Sequence, residues 1–129
     1  MNRPNLALMP PFIRTIPKDK FDMMSFREGQ SKTPECKSVG CVIGHCTVLD
    51  PNPLPRNRFS RISFYEWSEN FTGLAKFGHE WRWCFDSNWV DTDNTPNGAA
   101  LRIEWLLNHG LPKDWYEQMN GFNPLCYKP

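Results

Sequence analysis

Twelve prolines and eight glycines spread along 129 residues cut this chain into segments too short for long helices. Proline fixes φ and removes a backbone donor, so it suits a first helical turn or a loop. Glycine marks the residue just past a helix end, or a turn. Where a pattern is legible between these marks, apolar residues recur every three or four positions. Almost nowhere do they alternate strictly, which is the period a strand would need. The expectation is a mainly α fold, a single compact domain over 1–129 of about five short helices, with long loops and a Trp-rich core.

The plainest helix is TPNGAALRIEWLLNHG. Thr95 caps it, Pro96 takes its first position, and Ala99, Ala100, Ile103, Leu106 and Leu107 form one apolar stripe up to Gly110. Asp91 and Asp93 stand just before its positive end. SFYEWSENFTG carries a capping box, Ser63 with Glu66, then Phe64, Trp67 and Phe71 at helical spacing and Gly73 as the stop. HEWRWCF, His79 to Phe85, reads as a short helix with Trp81 and Phe85 on one side. SVGCVIGHCTVL, Ser38 to Leu49, is capped by Ser38 and closed by Asp50-Pro51. In LALMPPFIRTIP a helix is expected to start near Pro10 or Pro11 and to close at Pro17, leaving an irregular start over 1–10. KDWYEQM gives a last short helix, and the tail 121–129 is expected to be irregular. FDMMSF is too brief to assign, and a small hairpin near Phe59 to Ile62 is the one strand alternative.

Aromatic residues make up 14% of the chain, with six Trp and nine Phe, more than a modest core needs. Some are therefore expected to line a pocket or an interface. A net charge of +1 gives no reason to expect extended nucleic acid or a membrane as partner. The opening MNRPNLALMPPF has no long apolar run and reads as neither signal peptide nor membrane span. Five cysteines, an odd number without a secretory signal, point to free thiols and a cytoplasmic setting, bacterial or phage-infected.

The stretch TPECKSVGCVIGHC gathers Cys36, Cys41, His45 and Cys46. Its spacing is not that of a zinc knuckle, and no second pair follows. On a helix Cys41 and His45 share a face, whereas Cys46 lies about 140° round from Cys41. A zinc site would then need Cys36, Cys41, His45 and a distant ligand such as Cys84. A reactive thiol needs a base and an electropositive setting, which Cys36 beside Lys37 meets best. Otherwise Cys41 and Cys46 are small buried hydrophobes, and Gly40 and Gly44 mark a close approach by another helix.

Outside the cysteines, DSNWVDTDN concentrates oxygen ligands but fails the calcium-loop register, and HEWRW lacks the second histidine of a zincin. Arg56, Arg58 and Arg61 lie close in sequence to Phe59, Phe64 and Tyr65, a mixture able to grip a nucleotide. No complete catalytic set is present, and the reading favours binding over catalysis. The expected ligand contacts are Lys37 and Ser38 for anion capture, His45 for a polar contact, Arg56 and Arg58 for charge, and Trp83 for stacking.

Phe21-Asp22-Met23, the C-x4-C of Cys36 and Cys41, Gly44-His45 and the later DNTPNGAALRIEWLL occur in a familiar order. The chain thereby resembles, from Phe21 to about Leu107, a family of small uncharacterised proteins of bacteria and their phages. The family has no assigned activity, so the resemblance carries over no catalytic residue. In relatives tryptophan can replace His45, and a small residue is usual at the position of Cys46. What the resemblance implies is a phage-type binding protein acting against host defence, which captures a host protein or a small signalling nucleotide. The alternatives are a zinc-binding protein or small thiol- or metal-dependent enzyme built on Cys36, Cys41, His45 and Cys84, and a virion component. A homo-oligomer is compatible with each.

Overall fold

The computed structural model describes residues 1–23, 41–52 and 61–120. Among them the regular structure is helical, apart from a bridge residue at Phe21. Six α-helices are described: α1 (Arg3–Ile13), α2 (Val42–Cys46), α3 (Arg61–Thr72), α4 (His79–Phe85), α5 (Pro96–His109) and α6 (Trp115–Met119). Short 3-10 turns follow α2 and α4, and another precedes Phe21. No described helix is long and apolar enough to cross a membrane.

Helix α5 is built as its sequence dictates. The Thr95 hydroxyl accepts the Gly98 N–H at 3.0 Å, Pro96 stands in the first turn, and Gly110 closes the helix at φ 78. Ala99, Ala100, Ile103 and Leu106 are buried, while Leu107 at the edge of the stripe is only partly so. Burying such a stripe against a neighbour, rather than helix propensity, supplies most of the stability of a helix this short.

That neighbour is chiefly α1, whose Leu6, Met9 and Ile13 are fully buried. Arg3 at the start of α1 donates to the Leu107 carbonyl near the end of α5. Arg14, just past α1, meets Glu104 through two bonds of 2.7 Å and Asn97 at 3.1 Å. The two helices are therefore antiparallel.

Helix α1 starts at Arg3, not near Pro10, and the irregular start expected over 1–10 gives way to helix. The Asn2 side chain accepts the Asn5 N–H, and Pro4 lies in the first turn, where no donor is needed. Pro10 and Pro11 sit inside the helix, each lacking the N–H its turn would use. The helix continues because its Leu6-Met9-Ile13 stripe has α5 to bury against, a tertiary gain that proline counting misses.

Two further starts differ from expectation. Helix α3 already includes Arg61 and Ile62, so Ser63 and Glu66 stand within it. A capping box is defined by residue type and spacing, which a helix interior satisfies as readily as a helix start. This also removes Arg61 and Ile62 from a hairpin; Phe59 and Ser60, like the tail 121–129, lie outside the described residues. Helix α2 begins at Val42, because Cys41 is extended at φ −85 and ψ −175. Gly44 costs helix on the order of 1 kcal/mol relative to alanine, which favours a brief element. Ser38 and Gly40 lie outside the described residues.

The tryptophans centre the core. Trp83 and Trp89 are fully buried and meet edge to face, with ring centres 5.4 Å apart. Their polar handles find partners within the core: Trp83 Nε1 donates to the Arg102 carbonyl, and Trp89 Nε1 to the Trp83 carbonyl. Trp81 donates to Ser68 Oγ and Trp67 to Asp50 Oδ2, so four indoles bury their area without stranding a donor.

Candidate functional site

Cys41 and Cys46 are buried, as is Cys84 on α4. Burial pushes the Cys41 thiol up to about 11, despite backbone hydrogen bonds at Gly44 and Ile43 that oppose it. Burial likewise pushes Cys84 up to about 12 and raises Cys46 well above the usual thiol range. A thiol held protonated and out of water is a poor nucleophile.

His45 is half-buried, and its Nε2 lies 2.7 Å from the Lys20 carbonyl. A carbonyl only accepts, so Nε2 carries the proton there and offers no lone pair to a metal through that atom. Among the described residues no three His, Cys, Asp or Glu side chains gather as one ion would require. Cys41, His45 and Cys84 are thus not brought together into such a group; Cys36 lies outside the described residues.

Of the expected ligand contacts, Lys37, Ser38, Arg56 and Arg58 also lie outside the described residues. Trp83 is placed plainly. It is 0% exposed, packed on Trp89, and its indole nitrogen is spent on Arg102. A ring so enclosed stabilises the core and has no face to offer a ligand arriving from solvent.

The start of α5 holds a polar group that sequence reasoning missed. Arg102 is fully buried, with its guanidinium 4.0 Å from the centre of the Trp89 ring. Its Nη1 donates to the Asp93 carbonyl oxygen at 3.3 Å and lies 3.6 Å from the Asp93 carboxylate. Asp93 also accepts from the Thr95 hydroxyl at 2.7 Å and lies so close to Gly98 that a Cβ there would meet its carboxylate at 2.1 Å. Beside it, Asn94 accepts the Met23 N–H and donates to Asp22. The segments FDM and DNTPNG are thereby tied together, and their polar residues serve the architecture. The signal for Arg102 was its spacing, three after Ala99 and four before Leu106, on the buried face.

A concavity of about 400 Å³ lies between the start of α1, the turn after α3 and the end of α5. Arg3, Glu80 and Asn108 contribute polar atoms to it, over Leu74 and Leu106. Its volume falls within the range of small-molecule sites. Arg3 is partly engaged there, capping the carbonyl end of α5 through Leu107.

The most unusual surface is the corner between α3 and α4. Gly73 ends α3 at φ 70, and the Lys76 N–H then donates to Glu69 Oε2 at 3.1 Å. A turn closed by Gly78 N–H on the Ala75 carbonyl leaves Phe77 between them at φ 64. For a bulky residue this left-handed backbone costs about 1 kcal/mol or more. Edge-to-face contacts at 4.8 Å with Tyr65 and 5.0 Å with Trp81 offset the strain.

Yet Phe77 remains 54% exposed, and Ile62, one turn before Tyr65 on α3, is 68% exposed. Scattered exposed apolar residues are ordinary; here two exposed ones, Ile62 and the strained Phe77, flank Tyr65, which is itself partly buried against the core. Sequence reasoning passed over Phe77, although an aromatic between Gly73 and Gly78, in no helical stripe, was a signal. Comparison with protein-family models, curated proteins and solved structures finds no match for the chain.

Proposed function

We propose that the chain is a small non-catalytic binding protein of the phage type, which captures a host protein and so acts against host defence. The observation that carries this reading is the apolar corner of Ile62, Tyr65 and Phe77, kept at the surface against backbone strain. Half-exposed aromatic and branched residues that adjoin one another are the groups from which protein interfaces draw most of their energy. The three buried, protonated thiols support binding over thiol chemistry.

A small signalling nucleotide is the other ligand this reading admits, in the concavity that holds Arg3 or beside Lys37, Ser38, Arg56 and Arg58. The experiment pairs capture from host lysate, using wild type and a Phe77→Gly variant, with a thermal-shift screen of mono- and dinucleotides. A host protein retained by wild type and released by the variant supports protein capture. Nucleotide stabilisation without such a partner moves the reading to the small ligand. The absence of both a retained partner and nucleotide stabilisation overturns it.

A further inference from the structure

We propose that the concavity between α1, the turn after α3 and the end of α5 binds a free α-amino acid with an apolar side chain. The site is separate from the Phe77 corner and goes beyond the capture reading. Its ground is a pair of opposite charges that line one hollow without meeting. Arg3 and Glu80 both contribute to it, yet no ion pair joins them. Glu80 makes no hydrogen bond or ion pair among the described residues. Arg3 spends Nη2 on the Leu107 carbonyl, and the rest of its fork of N–H groups is left to donate elsewhere.

The last turn of α5 adds a second negative feature. Leu106, Leu107, Asn108 and the closing Gly110 line the hollow, which therefore lies at the carboxyl end of a 14-residue helix, where cations are favoured. An ammonium fits between Glu80 and that helix end, and a carboxylate takes the N–H groups of Arg3. Leu74, Leu106 and Leu111 supply apolar lining for an aliphatic or aromatic side chain. A volume of about 400 Å³ holds such a molecule together with some water. A nucleotide suits the hollow less, because Glu80 and the end of α5 oppose its phosphates.

The test uses the full chain and four probes: leucine, N-acetyl-leucine, which lacks the ammonium, leucinamide, which lacks the carboxylate, and adenosine monophosphate. Binding is read by calorimetry and by NMR shifts. The expected result is a leucine Kd of about 1 mM or tighter, with shifts at Leu74, Glu80 and Asn108. N-acetyl-leucine and leucinamide should each bind at least about tenfold more weakly, the loss of one charge-assisted contact. Glu80→Gln, at an exposed position, should weaken leucine about tenfold without weakening N-acetyl-leucine. A purely structural role for Glu80 in the first turn of α4 would not give that split.

No binding of leucine, methionine or phenylalanine up to about 10 mM overturns the proposal. So does N-acetyl-leucine or leucinamide that binds as tightly as leucine, or a Glu80→Gln variant that binds leucine as wild type does. Adenosine monophosphate that shifts these residues where leucine does not makes the hollow a nucleotide site and overturns it too. None of these results bears on capture at the Phe77 corner, which stands or falls on the lysate experiment.

Discussion

Gly98 shows how tightly single side chains are specified in this chain. A methyl group there would run into the Asp93 carboxylate, which is held by the Thr95 hydroxyl and faces Arg102. Gly98→Ala is expected to cost about 1–3 kcal/mol in chemical denaturation, as overpacking does. A loss below experimental error would mean that Asp93 can swing away freely. The thiols give a second expectation. With Cys41, Cys46 and Cys84 buried and their pKa values raised, brief iodoacetamide treatment at pH 8 should leave these three unmodified until denaturant is added. Peptide mapping checks this, and an adduct on native Cys41 would contradict the burial. At this scale the sequence was legible where chemistry is local: Thr95, Pro96, Gly73 and Gly110 act on their own neighbours. Arg102 and Phe77 were not legible, because their meaning comes from Trp89, Tyr65 and Trp81, which other segments supply.

At the scale of elements, α4 and α5 stand where their patterns predicted: apolar spacing alone placed α4, and capping residues and apolar spacing agreed for α5. The start of α1 was misplaced because Pro10 and Pro11 suit a first helical turn, and only packing on α5 argued for helix before them. Pro11 is exposed, and the N–H it lacks would reach the Ala7 carbonyl. Pro11→Ala should therefore raise stability, by about 1–2 kcal/mol of the roughly 3 kcal/mol an interior proline costs. A lower melting temperature would show that proline stiffness in the unfolded chain outweighs the missing bond.

The Arg14-Glu104 clamp joins the same two helices. The hydrogen bond from Arg14 holds the Glu104 carboxyl below its usual 4.5, so the pair's contribution is present above that pH. It fades as pH falls through the depressed value. Both groups are over a third exposed, so the contribution is small, about 0.5 kcal/mol. Glu104→Gln should accordingly lower the melting temperature slightly at pH 7 and much less at pH 3, measured in parallel scans. An equal loss at both pH values would assign the effect to packing instead.

For the whole molecule, the mainly helical class and the tryptophan core follow from composition and period, and both are what the structure has. The candidate site was only partly legible. Cysteines and a histidine marked the segment from Cys36 to Cys46, yet its described thiols belong to the core. The exposed corner lies instead on α3 and the loop after it, where Phe77 interrupts no motif and completes none. A surface is assembled from residues distant in sequence, and no local pattern announces it. We propose that this corner binds and that its strain is kept for binding, not for folding. The direct measurement compares Phe77→Gly with wild type in two readouts, melting temperature and retention of the captured partner. The expected result is a melting temperature within about 5 °C of wild type, with retention abolished. A variant that melts far lower, or one that holds its partner as wild type does, would contradict it.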